Sequence, residues 1–444
     1  MKAGSPGDTL VMSPGLRRAA VALSSLSLAT ALGAGMVFLT QMILARQLGA
    51  ADYGLFASSL ATVTIVAPLA GFGLSRFRLM VYGVEGWGAD RWLPSTLWFS
   101  AITTTLALAI VVTCAFTIAP GAPTRYTLLA LLPVILALLA VDLVSSKLRL
   151  EERYHSLSGW HLLVPGGRLV IASLLLLVPA LGVGFVAVGY GVLSLAIFAF
   201  GAPAIVALMR GEVRLHGHGP RPTSRPPAVV PGIATLWSQS WVYGATALLY
   251  PVFFQIGTVL LKYLDSNVQA GLFGIAMAVM SAIYLIPSTI YQKYLLSKLH
   301  RWAVHDKPKF RQVYRQGIAA MFVLGLLVGA TVALAAPWFV PVAFGEQYRG
   351  VVAVLLVLAL CPPLRFLSTA VGAILLNRSQ MGYRVRAMAL AALVTVALNV
   401  LLIPLYHALG AAFATVGGEI ALLSMMARGA WRCRHEYAPE PSNP

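Results

Sequence analysis

Long apolar runs recur from end to end of this chain, separated by short polar stretches. A helix needs roughly 20 predominantly apolar residues to cross the hydrocarbon of a bilayer. Twelve runs approach that length: 19–44, 54–75, 95–118, 127–146, 160–180, 184–208, 233–261, 270–291, 317–337, 350–370, 385–404 and 409–429. The pattern predicts an all-α integral membrane protein of about twelve transmembrane helices. The first run is too long for a removable signal peptide, and no small-residue cleavage site with a soluble remainder follows it, so it is expected to stay.

Composition agrees, since 59% of the 444 residues are hydrophobic, only 10% are charged and the mean hydropathy is +0.82. Globular domains carry about 25% charged residues, so a large water-soluble core is excluded. The net charge of +18 changes meaning once the 32 basic residues are placed on the predicted topology. Arg46, Arg125, Lys262 and Arg349 fall outside, Arg168 and Arg365 fall within helices, and the other 26 lie in cytoplasmic segments. This is the bias of the positive-inside rule. It puts both termini in the cytoplasm of a multi-pass plasma (inner) membrane protein and removes the reason to expect nucleic-acid binding.

The stretch 210–232 holds five prolines among several glycines and arginines, which predicts an irregular cytoplasmic linker. It separates an N-terminal six-helix lobe, 1–209, from a C-terminal one, 233–444. Two internal similarities suggest that the lobes are homologous. ILARQLGAADYGLFA (Ile43–Ala57) resembles LLKYLDSNVQAGLFGIA (Leu260–Ala276), pairing Gly54 with Gly271, and LGVGFVAVGY (Leu181–Tyr190) resembles LGAAFATVGG (Leu409–Gly418). Each joins equivalent helices in the same orientation, as in a parallel repeat that encloses a site between its halves.

The string ARQLGAADYGLFA (Ala45–Ala57), with IPLYHALGAAFAT (Ile403–Thr415), resembles the oligosaccharide-lipid flippases of the multidrug, oligosaccharide and polysaccharide exporter superfamily. The resemblance implies a V-shaped pair of six-helix lobes. It also implies movement of a lipid-linked sugar, typically an undecaprenyl-diphosphate oligosaccharide, to the outer leaflet for surface polysaccharide synthesis. Expected partners are that substrate, membrane lipids, a coupling H⁺ or Na⁺, a polysaccharide polymerase and glycosyltransferases. No cofactor and no metal are expected: Cys114, Cys361 and Cys433 are far apart, and His216 and His218 have no companion ligands.

An ionisable side chain at membrane depth costs roughly 2.5–3.5 kcal/mol on insertion scales, so each is a candidate functional residue. Arg168 and Arg365 are the foremost substrate ligands, because guanidinium binds phosphate oxygens bidentately; each could instead pair with a buried acid. Arg76, Arg78 and Lys293 extend the basic set, and Gln239, Tyr243 and Gln255 of the seventh span could line a cavity for sugar. Asp142 and Glu419 could load a coupling cation or serve as ion-pair partners of the arginines. Arg46, Gly49, Asp52 and Gly54 form a structural motif, with Arg46 and Asp52 expected to pair across the turn. Pro68, Pro133, Pro165, Pro251, Pro287, Pro362 and Pro363 interrupt apolar runs, and Gly325 and Gly329 mark a close helix contact.

A multidrug and toxin extrusion antiporter is the alternative function, but it needs acids in its cavity, and the run 19–44 contains none. A membrane enzyme of polysaccharide assembly would need paired acids. The adjacent Glu151 and Glu152, flanked by Lys147, Arg149 and Arg153, instead suggest a solvated turn.

Overall fold

Inside hydrocarbon a backbone N–H or C=O finds no water, so an apolar chain that crosses it must satisfy these groups within its own helix. The computed structural model describes residues 14–178, 180–215, 218–219, 229–288, 307–376 and 380–432, and among them there is no strand. The helices are α1 (Pro14–Val66), α2 (Leu74–Glu85), α3 (Leu93–Thr117), α4 (Ala122–Leu131), α5 (Val134–Leu150), α6 (Tyr154–Leu177) and α7 (Val183–Met209). After the connection come α8 (Ile233–Leu264), α9 (Asn267–Ile283), α10 (Leu285–Ser288), α11 (Lys307–Phe344), α12 (Gly350–Leu358), α13 (Cys361–Val371) and α14 (Met381–Arg432). Among the described residues, eight helical stretches are long and apolar enough to cross a membrane. The 94-residue stretch Ser24–Thr117 and the 52-residue Met381–Arg432 are each long enough for more than one pass. Leu334, Phe200 and Leu177 are among many large apolar side chains left bare on the outside of the bundle, as a lipid-facing surface requires. This is a multi-pass membrane protein.

The expected polar turn between the first two apolar runs is a single-residue break: α1 is helical on both sides of Gly49, which takes φ 75°, ψ 171°. An L side chain is strained at such a φ, and glycine is not. The second run, expected as one span over 54–75, stops at Val66. Pro68 lies in a tight 3-10 turn, Ala67–Leu69, and Gly71, Phe72 and Gly73 all have positive φ before α2 begins. The freed groups are met locally: Ala70 N–H donates to Ala67 O (2.9 Å), Leu74 N–H to Gly71 O (2.8 Å), and Gly71 N–H to the Thr103 hydroxyl of α3 (3.1 Å). Pro133 separates α4 from α5, and Pro362 and Pro363 follow the break between α12 and α13, whereas Pro165 and Pro251 lie inside continuous helices. α14 is broken at His407, whose φ is 55°.

α1 is the central element, packed against α6 of its own half and against α8 and α9 of the other. Gly54 and Gly271, matched in the sequence as repeat partners, lie against each other there. A Cβ on Gly54 would sit 1.7 Å from Asn267 O, and one on Gly271 would sit 2.5 Å from Ala50 O. Around them a single buried apolar cluster joins the halves, with Leu44, Tyr53 and Phe56 on one side and Phe273, Phe344 and Tyr348 on the other. A second contact lies at the α1–α2 break, where Phe72 stacks on Trp237 of α8 (5.1 Å, 7° between planes) and Gly73 meets Gly244. Gly325 and Gly329 of α11 serve the close contact expected of them: their Cβ positions lie 2.5 Å from Pro363 Cα and 2.4 Å from Ala359 O.

Because backbone cannot step aside as a flexible side chain can, Gly54→Ala is expected to destabilise the protein by about 1–3 kcal/mol. Gly35, with nothing within 4 Å of its Cβ position, should accept alanine without loss. Thermal denaturation in detergent, followed by size-exclusion chromatography, compares the two.

Candidate functional site

The α12–α13 break turns the chain so that Arg365, one turn into α13, reaches the interior of the second half. Glu419 arrives there from the far part of α14, where Gly418 permits close packing: a Cβ on it would lie 2.0 Å from the Thr395 hydroxyl. The Arg365 guanidinium and the fully buried Glu419 carboxylate are 3.5 Å apart. Neither carboxylate oxygen has a hydrogen-bond partner, so the pair is held by charge rather than by a well-directed bond. Four rings enclose the cation: Phe254 at 4.5 Å, Phe253 and Tyr284 at 5.5 Å, and Tyr250 at 5.9 Å from their centroids. Aromatic faces supply the negative potential that low-dielectric surroundings otherwise deny a cation. Ion pairing, left open by the sequence as an alternative for each of these residues, is what joins them here.

Arg384, in the first turn of α14, is half-buried with an unpartnered Nε, and its guanidinium lies within coulombic reach of both Arg365 and Arg76. Arg76 is exposed on α2, in the other half of the chain. Three arginines from α2, α13 and α14 therefore share one region, and the carboxylate paired there is Glu419 alone among the described residues. Sequence reasoning missed Arg384 by counting it among the charges of a cytoplasmic loop. Its position just before an apolar run, at a helix start rather than in a loop, was the available signal.

Arg168 lies on α6, three residues after Pro165, with its guanidinium 4.9 Å from the ring centroid of Tyr190 on α7. Tyr190 is buried and meets Phe56 edge-on at 5.0 Å. No carboxylate lies within ion-pair distance of Arg168 among the described residues. Its charge is offset by a ring face, not by an acid.

The remaining candidates do not converge on these arginines. Asp142 is exposed and accepts a hydrogen bond from Ser75 (2.6 Å), so it lacks the enclosure that cation loading by burial demands. Arg78 is only 2% exposed and points into the first half. Gln239 is exposed, Gln255 is half-buried, and Tyr243 packs in the apolar cluster around Phe72. Lys293 lies outside the described residues. Arg46 does not pair with Asp52: it donates to the carbonyls of Val342 and Ala343 (2.8 Å to the latter), the last turn of α11. The last carbonyls of a helix are the negative end of its dipole and accept readily from a cation. Tyr348 reinforces this contact by donating to Ala45 O (2.9 Å). Glu151 and Glu152 do form a turn and Glu152 is exposed, but Glu151 is buried against Lys147 and 3.6 Å from Arg153.

Removing one member of a buried ion pair leaves an uncompensated charge. Glu419→Ala should therefore destabilise the protein by about 3–5 kcal/mol, while replacing both members with apolar residues (Arg365→Met with Glu419→Leu) should restore most of that loss. A thermal-denaturation cycle of the single and double variants measures the coupling.

A family model described as polysaccharide biosynthesis protein matches residues 22–295. No curated protein sequence matches the chain. Among solved structures, the lipid II flippase MurJ in an inward closed conformation is similar over 90% of this chain and 86% of its own, with a TM-score of 0.64 at 13% identity. An inward-facing multidrug resistance transporter of the MATE family and MOP superfamily is similar over 94% and 98%, with a TM-score of 0.63 at 13% identity. A MOP superfamily transporter from Pyrococcus furiosus, described as having a binding pocket of reverse polarity, is similar over 94% and 95%, with a TM-score of 0.59 at 16% identity. The fold is shared with flippases and drug extruders alike, and by the family model that covers more than half of it the chain belongs to the polysaccharide biosynthesis protein family.

Proposed function

We propose that this protein carries a lipid-linked oligosaccharide with a diphosphate headgroup, of the undecaprenyl type, from the cytoplasmic to the outer leaflet of the plasma membrane. The single observation that supports this most is the approach of Arg384 to two further arginines, Arg76 and the Arg365 that pairs with Glu419. Like charges drawn together in low dielectric repel, and a polyanionic guest relieves that repulsion. Guanidinium groups also match phosphate oxygens in pairs. Arg168, without an acidic partner, offers a second phosphate contact on the other half. The protein is read as twelve membrane passes in two related lobes with both termini cytoplasmic. Of its substrate's neighbours, the glycosyltransferases that build the glycan and the polymerase that consumes it are the natural partners. No catalytic role is proposed.

Alternating access needs contacts that close one side and part on the other. The Gly54–Gly271 approach and the Arg46 and Tyr348 hydrogen bonds lie at the end of the bundle that the charge distribution puts outside, so they form the outer closure. Arg365–Glu419 is the site at which a coupling cation could compete for the carboxylate. The extruder reading has the MATE-like fold in its favour, but a cationic drug would meet an excess of arginine.

The test is translocation of an undecaprenyl-diphosphate oligosaccharide in proteoliposomes. A charge-assisted hydrogen bond is worth about 1.5–3 kcal/mol, so Arg384→Ala or Arg168→Ala should slow transport about tenfold or more, with lysine restoring part of the rate. Unchanged transport in both variants sinks the site. Drug efflux without lipid translocation reverses the choice of function.

A further inference from the structure

The break at Gly71–Gly73 starts α2 abruptly, and Arg78, five residues on, is carried inward instead of to a surface. Its side chain ends between α2, the 3-10 turn Gly86–Trp92, α3 and α7. Nη2 donates to the Thr96 hydroxyl at 2.8 Å and lies 3.1 Å from Met209 Sδ. That hydroxyl is already committed, since it donates to Leu93 O at 2.9 Å. Nε and Nη1 of Arg78 are buried and have no acceptor. No carboxylate lies within ion-pair distance of Arg78 among the described residues; Asp90, on the adjoining turn, is engaged by the Tyr82 hydroxyl at 2.8 Å.

A second orphan shares the place. Trp92 is 4% exposed, and its indole N–H also lacks an acceptor. Both residues line one small cavity, with Phe77, Tyr82, Leu93 and Thr96, with room for a single small guest. The unpaired groups of Arg78 and Trp92 are all donors, since guanidinium and indole N–H have no acceptor capacity. A metal ion would be repelled. A water would satisfy hydrogen bonds and leave the guanidinium charge uncompensated, a state that costs several kcal/mol in a buried setting.

We propose that this cavity is a site for a monatomic anion of halide size, chloride under ordinary conditions, held by Arg78 Nε and Nη1 and the Trp92 indole N–H. The anion supplies the counter-charge absent from the fold and ties α2 to the 86–92 turn at the start of α3. The site is separate from the Arg76–Arg365–Arg384 region and stands or falls independently of the transport reading.

The experiment is thermal denaturation of the purified full-length protein in detergent, exchanged into gluconate at constant ionic strength and titrated with single anions. Chloride and bromide should raise the midpoint saturably, as a ligand selective for the folded state does, and the larger iodide and sulfate should do so more weakly. Trp92→Phe should weaken the apparent chloride affinity about tenfold, and Arg78→Met should abolish the response. Anomalous diffraction from bromide-grown crystals should place one peak between Arg78 and Trp92. Equal effects of all four anions would show ionic-strength screening and overturn the proposal, as would a wild-type midpoint indifferent to chloride or a crystal with water and no anomalous peak there.

Discussion

A helix that bends in hydrocarbon exposes N–H and C=O groups with no water to receive them, and the breaks at residues 67–73 and between α12 and α13 are arranged around that constraint. At residues 67–73 the groups are taken up by successive tight turns and by the Thr103 hydroxyl. At the α12–α13 break Ala359 N–H donates to Leu355 O at 2.8 Å, and the prolines that follow have no N–H to satisfy. The end of α11 gives its last carbonyls to Arg46. At these breaks the freed groups are met mostly by local turns, with one bond, from Gly71 to Thr103, reaching a neighbouring helix.

Those bends decide where charge can sit. Arg46 lies just before the Gly49 break, Arg76 and Arg78 just after Gly73, and Arg365 four residues into α13. A straight span would have kept such residues against lipid, whereas a short half-helix can aim them at the protein interior. There the arginines are supported differently: Arg365 by a carboxylate and four rings, Arg168 by one ring, Arg78 by a hydroxyl and a thioether. The interior has a surplus of positive charge, which suits an anionic guest and opposes a cationic one.

The two halves meet through glycine at both contacts. Gly54 with Gly271, and Gly73 with Gly244, bring backbone to backbone with no side chain between. At these two points the halves meet without interlocking side chains. The aromatic groups beside them, Phe72 on Trp237 and Phe38 against Phe339 and Phe344, add apolar area without directional bonds.

Hydrophobic period and length made the membrane-crossing helices legible in the sequence, because the energetics of a helix in lipid depend on local composition alone. The same reasoning marked Arg168, Arg365 and Glu419, whose charge stands out against an apolar run. It could not say that Arg365 and Glu419 are partners, since they are 54 residues apart and meet only because α14 folds back at His407. Nor could it find that Arg46 reaches a carbonyl 297 residues away, that Arg384 joins Arg76 and Arg365, or that Arg78 is buried with donors to spare. Each of these depends on which face of a bent helix meets another helix. A crossing segment's own sequence fixes how far it spans, but the helices around it fix what its charges touch.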